Sequence, residues 1–121
     1  GALEGSQACI AEFRTELQAR RDLFYAGIEE HASRVLSGIP PKGAFYAFLR
    51  IAPSWRPEGG EPGASVSWAM AHDLTARGRI GCVPGADLGR NGEGYIRFCF
   101  ARDRRELTGA LESMSRLGLG R

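Results

Sequence analysis

Lysine is nearly absent from this 121-residue chain: of 16 basic residues only Lys42 is a lysine, and the rest are arginines. Any chemistry that needs a lysine amine therefore has a single candidate. Cysteine is scarce too, and Cys9, Cys82 and Cys99 lack metal-site spacing. Cys9 falls in a helical pattern and the other two in strand patterns, so all three are expected as small buried hydrophobes in a reducing cytoplasm. His31 and His72 stand alone in helical stretches, with no second ligand at useful spacing, which argues against a metal site. No apolar run is long enough to cross a bilayer, and no charged-then-apolar segment opens the chain, so neither a membrane nor export is expected. The formal net charge is only +2 and the arginines are dispersed, which argues against nucleic acid as a partner.

What is present fits one domain, 1–121, with a modest core and no internal repeat or boundary. Its centre is the run from Gly94 to Ala101. Strand side chains alternate faces, so Ile96, Phe98 and Phe100 point to a core while Tyr95, Arg97 and Cys99 point away from it. Arg97 is the one charge in that run. An unpaired buried charge is too costly, so its guanidinium must reach solvent, a carboxylate or a ligand anion. From spacing alone it reads as an exposed edge-strand arginine, a structural ion pair or an anion site.

Around that strand the pattern predicts helices and further strands. Ser6 is a candidate cap for a long helix to about Ala32, with Ile10, Phe13, Leu17, Phe24 and Ile28 on one side. Gly27 weakens that helix without ending it. A short strand over 35–39 meets the turn Pro40-Pro41-Lys42-Gly43, and an aromatic strand over 44–51 follows. There Phe45, Ala47, Leu49 and Ile51 share one face. The Pro-, Gly- and Glu-rich stretch 52–64 reads as a mobile loop with Trp55 as an anchor. Ser65 caps a helix to about Arg77, carrying Val66, Met70 and Leu74 inward and stopping at Gly78. A third strand over 79–83 leads into a Pro-Gly loop whose glycines at 85, 89, 92 and 94 allow positive φ and close backbone approach. Asp103 with Glu106 forms a capping box for the last helix, whose stripe is Leu107, Ala110, Leu111, Met114 and Leu117, ending at Gly118. The fold class is α+β: a small, mostly antiparallel sheet of three to four strands covered by helices, with a long N-terminal helix.

Two motifs carry a resemblance. Pro84-Gly85, Gly89, Gly92-x-Gly94 and Tyr95-Ile96-Arg97-Phe98-x-Phe100-Ala101, in that order, resemble the end of the class I/II aminotransferases, pyridoxal-phosphate enzymes of fold type I. Upstream, Pro41-x-Gly43-Ala44-Phe45-Tyr46 resembles a second signature of that family. The lead-in Ala2-Leu3-Glu4-Gly5 and the cluster Arg20-Arg21-Asp22 are weaker likenesses, the cluster being equally a solvated helix face with local ion pairs. The resemblance implies the C-terminal small domain of such an enzyme, with the first helix bridging toward a large domain. It implies that Arg97 grips the substrate's α-carboxylate, for which a planar fork of donors suits better than lysine.

The resemblance further implies pyridoxal phosphate as the cofactor of the full-length parent, amino acid and 2-oxo acid substrates, closure of the small domain on substrate, and a homodimer. Lys42 does not match the family's cofactor lysine, and no Gly-rich phosphate loop opens a helix. The chain is therefore expected to be a fragment, without catalytic or cofactor-binding residues, inactive alone and without covalently held cofactor. Other readings stay open: a carbon–sulfur lyase on the same fold, an aminotransferase-like domain of a transcription regulator, and a free-standing module for small carboxylates.

Overall fold

The computed structural model describes residues 1–61 and 63–120. Helix α1 (Ala8–His31) is followed by strands β1 (Leu36–Ser37) and β2 (Tyr46–Ile51), helix α2 (Val66–Ala76), strand β3 (Val83–Pro84), a 3-10 turn (Gly85–Leu88), strand β4 (Tyr95–Cys99) and helix α3 (Arg104–Arg116). The four strands form one sheet in the order β1-β2-β4-β3, every pair antiparallel. This is the expected α+β architecture. No helix among the described residues is long and apolar enough to cross a membrane.

One face of the sheet builds the core. Ala47, Leu49 and Ile51 of β2 and Ile96 and Phe98 of β4, with Phe100 just beyond, are buried together with Phe24 and Ile28 of α1, Met70 and Leu74 of α2, and Leu111 and Met114 of α3. Helix α1 packs on α3 at a glycine. A Cβ on Gly27 would lie 2.2 Å from Leu111 Cδ1, so close approach of the two axes explains a residue that local propensity alone disfavours.

The apolar side of α1 is only half used. Phe24 and Ile28 are buried, whereas Ile10 and Phe13 are 52% and 67% exposed. Glu16 marks the divide: it binds Arg104 at 2.7 Å and Arg20 at 2.8 Å, tying α1 to the start of α3. Those two guanidinium groups hold its carboxyl down at about 2. Residues 8–15, beyond that tie, are all exposed.

Several local expectations shift, each for a backbone reason. The strand expected from Ala44 starts at Tyr46, because Ala44 has φ 59, a left-handed conformation a strand cannot hold. Arg79 takes the same conformation (φ 56), and of the strand expected over 79–83 only Val83 is in β3, which runs Val83–Pro84. Arg79, not Gly78, therefore turns the chain after α2. Gly78 is needed for space, since a Cβ there would meet Leu74 O at 2.7 Å. Phe45, expected on the core face, is 38% exposed.

Caps follow the same mixture. Ser65 accepts from Trp68 N–H as expected. Asp103 accepts from Arg105 N–H, but Glu106 turns to Arg102 at 3.0 Å, so the box is half made. Helix α1 is capped by Gln7 without a side-chain bond; Ser6 Oγ instead accepts from Ala8 N–H. Gly118 (φ 74) ends α3 with Leu119 N–H on Met114 and Gly118 N–H on Ser115. The stretch 52–64 is a loop with Trp55 packed on the core; Pro62 lies outside the described residues. Cys9 is exposed, not buried, because it falls on the projecting end of α1; Cys82 and Cys99 are half-buried. Burial pushes the Cys82 thiol up to about 11.

Candidate functional site: an arginine on the outer face of the sheet

Strand β4 lies inside the sheet, flanked by β2 and β3, so Arg97 is not an edge-strand residue. The loop that delivers it is built on glycine. A Cβ on Gly85 would come within 2.0 Å of Gly92 O, and one on Gly92 within 1.9 Å of Gly85 O, so the two backbones touch where any side chain would collide. Gly94 (φ 83) then turns the chain directly into β4.

Glu93, between those last two glycines, is anchored to the start of α2. Its carboxylate accepts from Ser65 Oγ at 2.7 Å, Val66 N at 2.7 Å, Ser67 Oγ at 2.9 Å and Ser67 N at 3.2 Å. Desolvation would raise its pKa, yet these hydrogen bonds outweigh it and hold the carboxyl below its ordinary value. A carboxylate at a helix N-terminus is favourable to both partners. The turn before β4 is thus held against α2 by a charged cap.

The register sets the outer face. Phe48 stands opposite Arg97, Arg50 opposite Tyr95, and Tyr46 opposite Cys99, all with side chains turned from the core. Phe48 and Tyr95 stack with centroids 4.9 Å apart and planes 8° from parallel. Arg97 does not point into water unsupported: its guanidinium carbon sits 4.3 Å from the centre of the Tyr46 ring. Among the described residues no carboxylate pairs with Arg97. A part-buried guanidinium over a ring, with no carboxylate partner among the described residues, can take an anion. Beside this face, Phe48 and residues 88–92 border a hollow of about 360 Å³.

Other hollows lie elsewhere. One of about 730 Å³ runs between α3 and residues 78–81; of its charged rim, Arg102 and Glu106 satisfy each other at 3.0 Å. Another, of about 350 Å³, separates the projecting half of α1 from the turn carrying Lys42. The residues of this chain do not fit pyridoxal phosphate. Lys42 is exposed in the turn against α1, and the N-terminus of α2 already holds the Glu93 carboxylate. Among the described residues, no group of three or more His, Cys, Asp or Glu side chains could hold a metal ion.

The alternation of the sequence placed Arg97 on the face turned from the core, but not its contact with the Tyr46 ring or the anchoring Glu93. Alternation assigns a side chain to a face; which ring lies under a guanidinium depends on pairing register between strands far apart in sequence. Glu93 gave only the signal of an acid in a glycine turn.

These features define a class: a small α+β domain that presents, on the sheet face turned from its core, an arginine over a tyrosine ring with no carboxylate partner among the described residues. The chain matches the C-terminal small domain of an aspartate-aminotransferase-like enzyme of fold type I, and its homologues are aminotransferases. It is 34% identical over 110 residues to the probable aspartate aminotransferase of Methanocaldococcus jannaschii, which covers 91% of this chain and 25% of that protein. Identity to aromatic-amino-acid aminotransferase 2 of Thermococcus litoralis is 31% over 114 residues, covering 94% of this chain and 26% of that protein. The solved aromatic aminotransferase from Pyrococcus horikoshii superposes with a TM-score of 0.78 at 31% identity, over 96% of this chain and 28% of that one. The chain therefore spans about a quarter of the length of the curated relatives it matches. No protein-family model matches it.

Proposed function

We propose that this chain serves as the C-terminal small domain of a pyridoxal-phosphate-dependent aminotransferase, transferring an amino group between an amino acid and a 2-oxo acid, and that Arg97 binds the substrate's α-carboxylate. The observation that carries the reading is a guanidinium that pairs with no carboxylate among the described residues, on the sheet face opposite the core. Two parallel N–H···O bonds from its planar edge fix both the place and the orientation of a carboxylate. Every amino acid and every 2-oxo acid carries that group, so one arginine serves both halves of the exchange.

Amino transfer draws its electron sink from pyridoxal phosphate, which the remainder of the enzyme would hold. By itself this chain has no group to begin the reaction. Its contribution is positional: an α-carbon misplaced by an ångström costs about a hundredfold in rate. Large-domain contacts, a cytoplasmic location and a homodimer belong to the same proposal and follow from the resemblance.

Kinetics of the full-length enzyme test it. Arg97→Lys keeps the charge but loses the fork, and Arg97→Leu loses both. KM is expected to rise and kcat/KM to fall for every amino acid substrate, by about a hundredfold or more for leucine and less for lysine. Unchanged kinetics in Arg97→Leu would refute the assignment.

A further inference from the structure

Arg97 raises a question that its charge alone does not answer: what holds a long, flexible side chain in place when no acid pairs with it. Arginine loses substantial rotamer freedom on binding a ligand, and affinity improves when that loss is met beforehand. A carboxylate paired with the guanidinium would hold it. Here such a group is absent among the described residues, and it would carry a cost, since it would compete with the substrate's carboxylate for the same donors.

We propose that Tyr46 is the positioning residue for Arg97, seating the guanidinium through its ring face rather than through a hydrogen bond. The geometry is specific. Tyr46 stands opposite Cys99, which makes it the diagonal neighbour of Arg97 on the outer face, within reach of a long side chain. The Arg97 guanidinium carbon lies 4.3 Å from its ring centre, a stacking distance. The ring itself is braced by Phe45, whose centroid is 4.7 Å away at 48°. On the other flank the Phe48–Tyr95 stack stands as a rigid wall, with Phe48 opposite Arg97 across the ladder.

Stacking uses the flat π-face of a guanidinium and leaves its in-plane N–H groups untouched. The seat therefore restrains rotation and lateral drift without occupying a donor. A hydrogen-bonding partner could not do this. The ring face acts, so the Tyr46 hydroxyl contributes nothing to the role. The inference rests on the reading of Arg97 given above.

A double-mutant cycle in the full-length enzyme tests it. Tyr46→Leu should raise KM for amino acid and 2-oxo acid substrates by about three- to thirtyfold, with a smaller change in kcat. Tyr46→Phe, which keeps the ring, should restore KM to within about twofold of the parent. In an Arg97→Leu background, Tyr46→Leu should change KM by no more than about twofold, because its effect runs through the arginine. Cofactor absorbance and melting temperature check that each variant is folded, and Tyr46→Met replaces the leucine variant if that one melts early.

The outcomes separate. A Tyr46→Leu effect that persists without Arg97 would mean direct contact with substrate, and loss in Tyr46→Phe would assign the role to the hydroxyl; either overturns the seat. A silent Tyr46→Leu beside a damaging Arg97→Leu overturns the seat and spares the carboxylate reading. A silent Arg97→Leu overturns both.

Discussion

The two faces of one small sheet are made by alternate residues of the same strands, and they behave as different materials. On the inner face Ala47, Leu49, Ile96 and Phe98 are at most 3% exposed and packed under three helices. On the outer face Tyr46 and Phe48 are 41% and 42% exposed, Phe48 stacked on Tyr95 and Tyr46 against Phe45 with the Arg97 guanidinium over its ring. The inner face is complete within this chain. The outer face is left half-exposed, which leaves room there for the proposed carboxylate. The difference shows that this domain's stability and its proposed role reside on opposite sides of a single pleat.

The largest expected contrast sets one face against the other. Phe98→Ala opens a cavity in the core and should cost about 3–5 kcal/mol, whereas Phe48→Ala should cost about 1 kcal/mol, the value of an exposed ring pair. Urea denaturation of the 121-residue chain reads both; equal costs would break the distinction. A second contrast concerns two helical glycines. Gly27→Ala drives a Cβ to 2.2 Å from Leu111 Cδ1 in a closed interface, while a Cβ on Gly109 meets nothing within 4 Å. The first should destabilise by about 1–2 kcal/mol net of helix propensity, and the second should stabilise by roughly 0.5–1 kcal/mol. Opposite signs in a thermal melt would support the α1–α3 contact, and like signs would contradict it.

The smallest effect is electrostatic. Arg104 and Arg20 lower the Glu16 carboxyl from 4.5 to about 2. A depressed carboxylate contributes stability above its unfolded pKa and loses it as pH falls toward the folded value. The tie between α1 and α3 is therefore intact above pH 4.5 and lost progressively between there and about 2. Glu16→Gln should flatten the dependence of melting temperature on pH in that window. Salt should reduce the parent's dependence, since both charges are solvent-facing. An unchanged pH profile in the variant would remove the ion pair from the account.

Much of this architecture was legible because its causes are local. Period-two alternation put Ile96 and Phe98 on one face and Arg97 on the other, and a serine and an aspartate announced two helix starts. The unread parts depended on distant partners or on backbone geometry without a residue signature. Ala44 and Arg79 take left-handed φ although neither is glycine or asparagine, so both adjoining strands were drawn too long. The stripe on α1 showed which side is apolar but not how far the rest of the domain reaches along it, which left Ile10, Phe13 and Cys9 in the open. Tyr46 beneath Arg97 and Glu93 beneath α2 are matters of register and turn placement. Only pairing between segments decides those.

The most direct measurement is a crystal structure of the full-length enzyme with a non-reacting carboxylate substrate analogue in place. The account expects both carboxylate oxygens within about 2.7–2.9 Å of Arg97 nitrogens, with the guanidinium still lying on Tyr46. A carboxylate held by other residues, with Arg97 paired to an aspartate or glutamate, would contradict it.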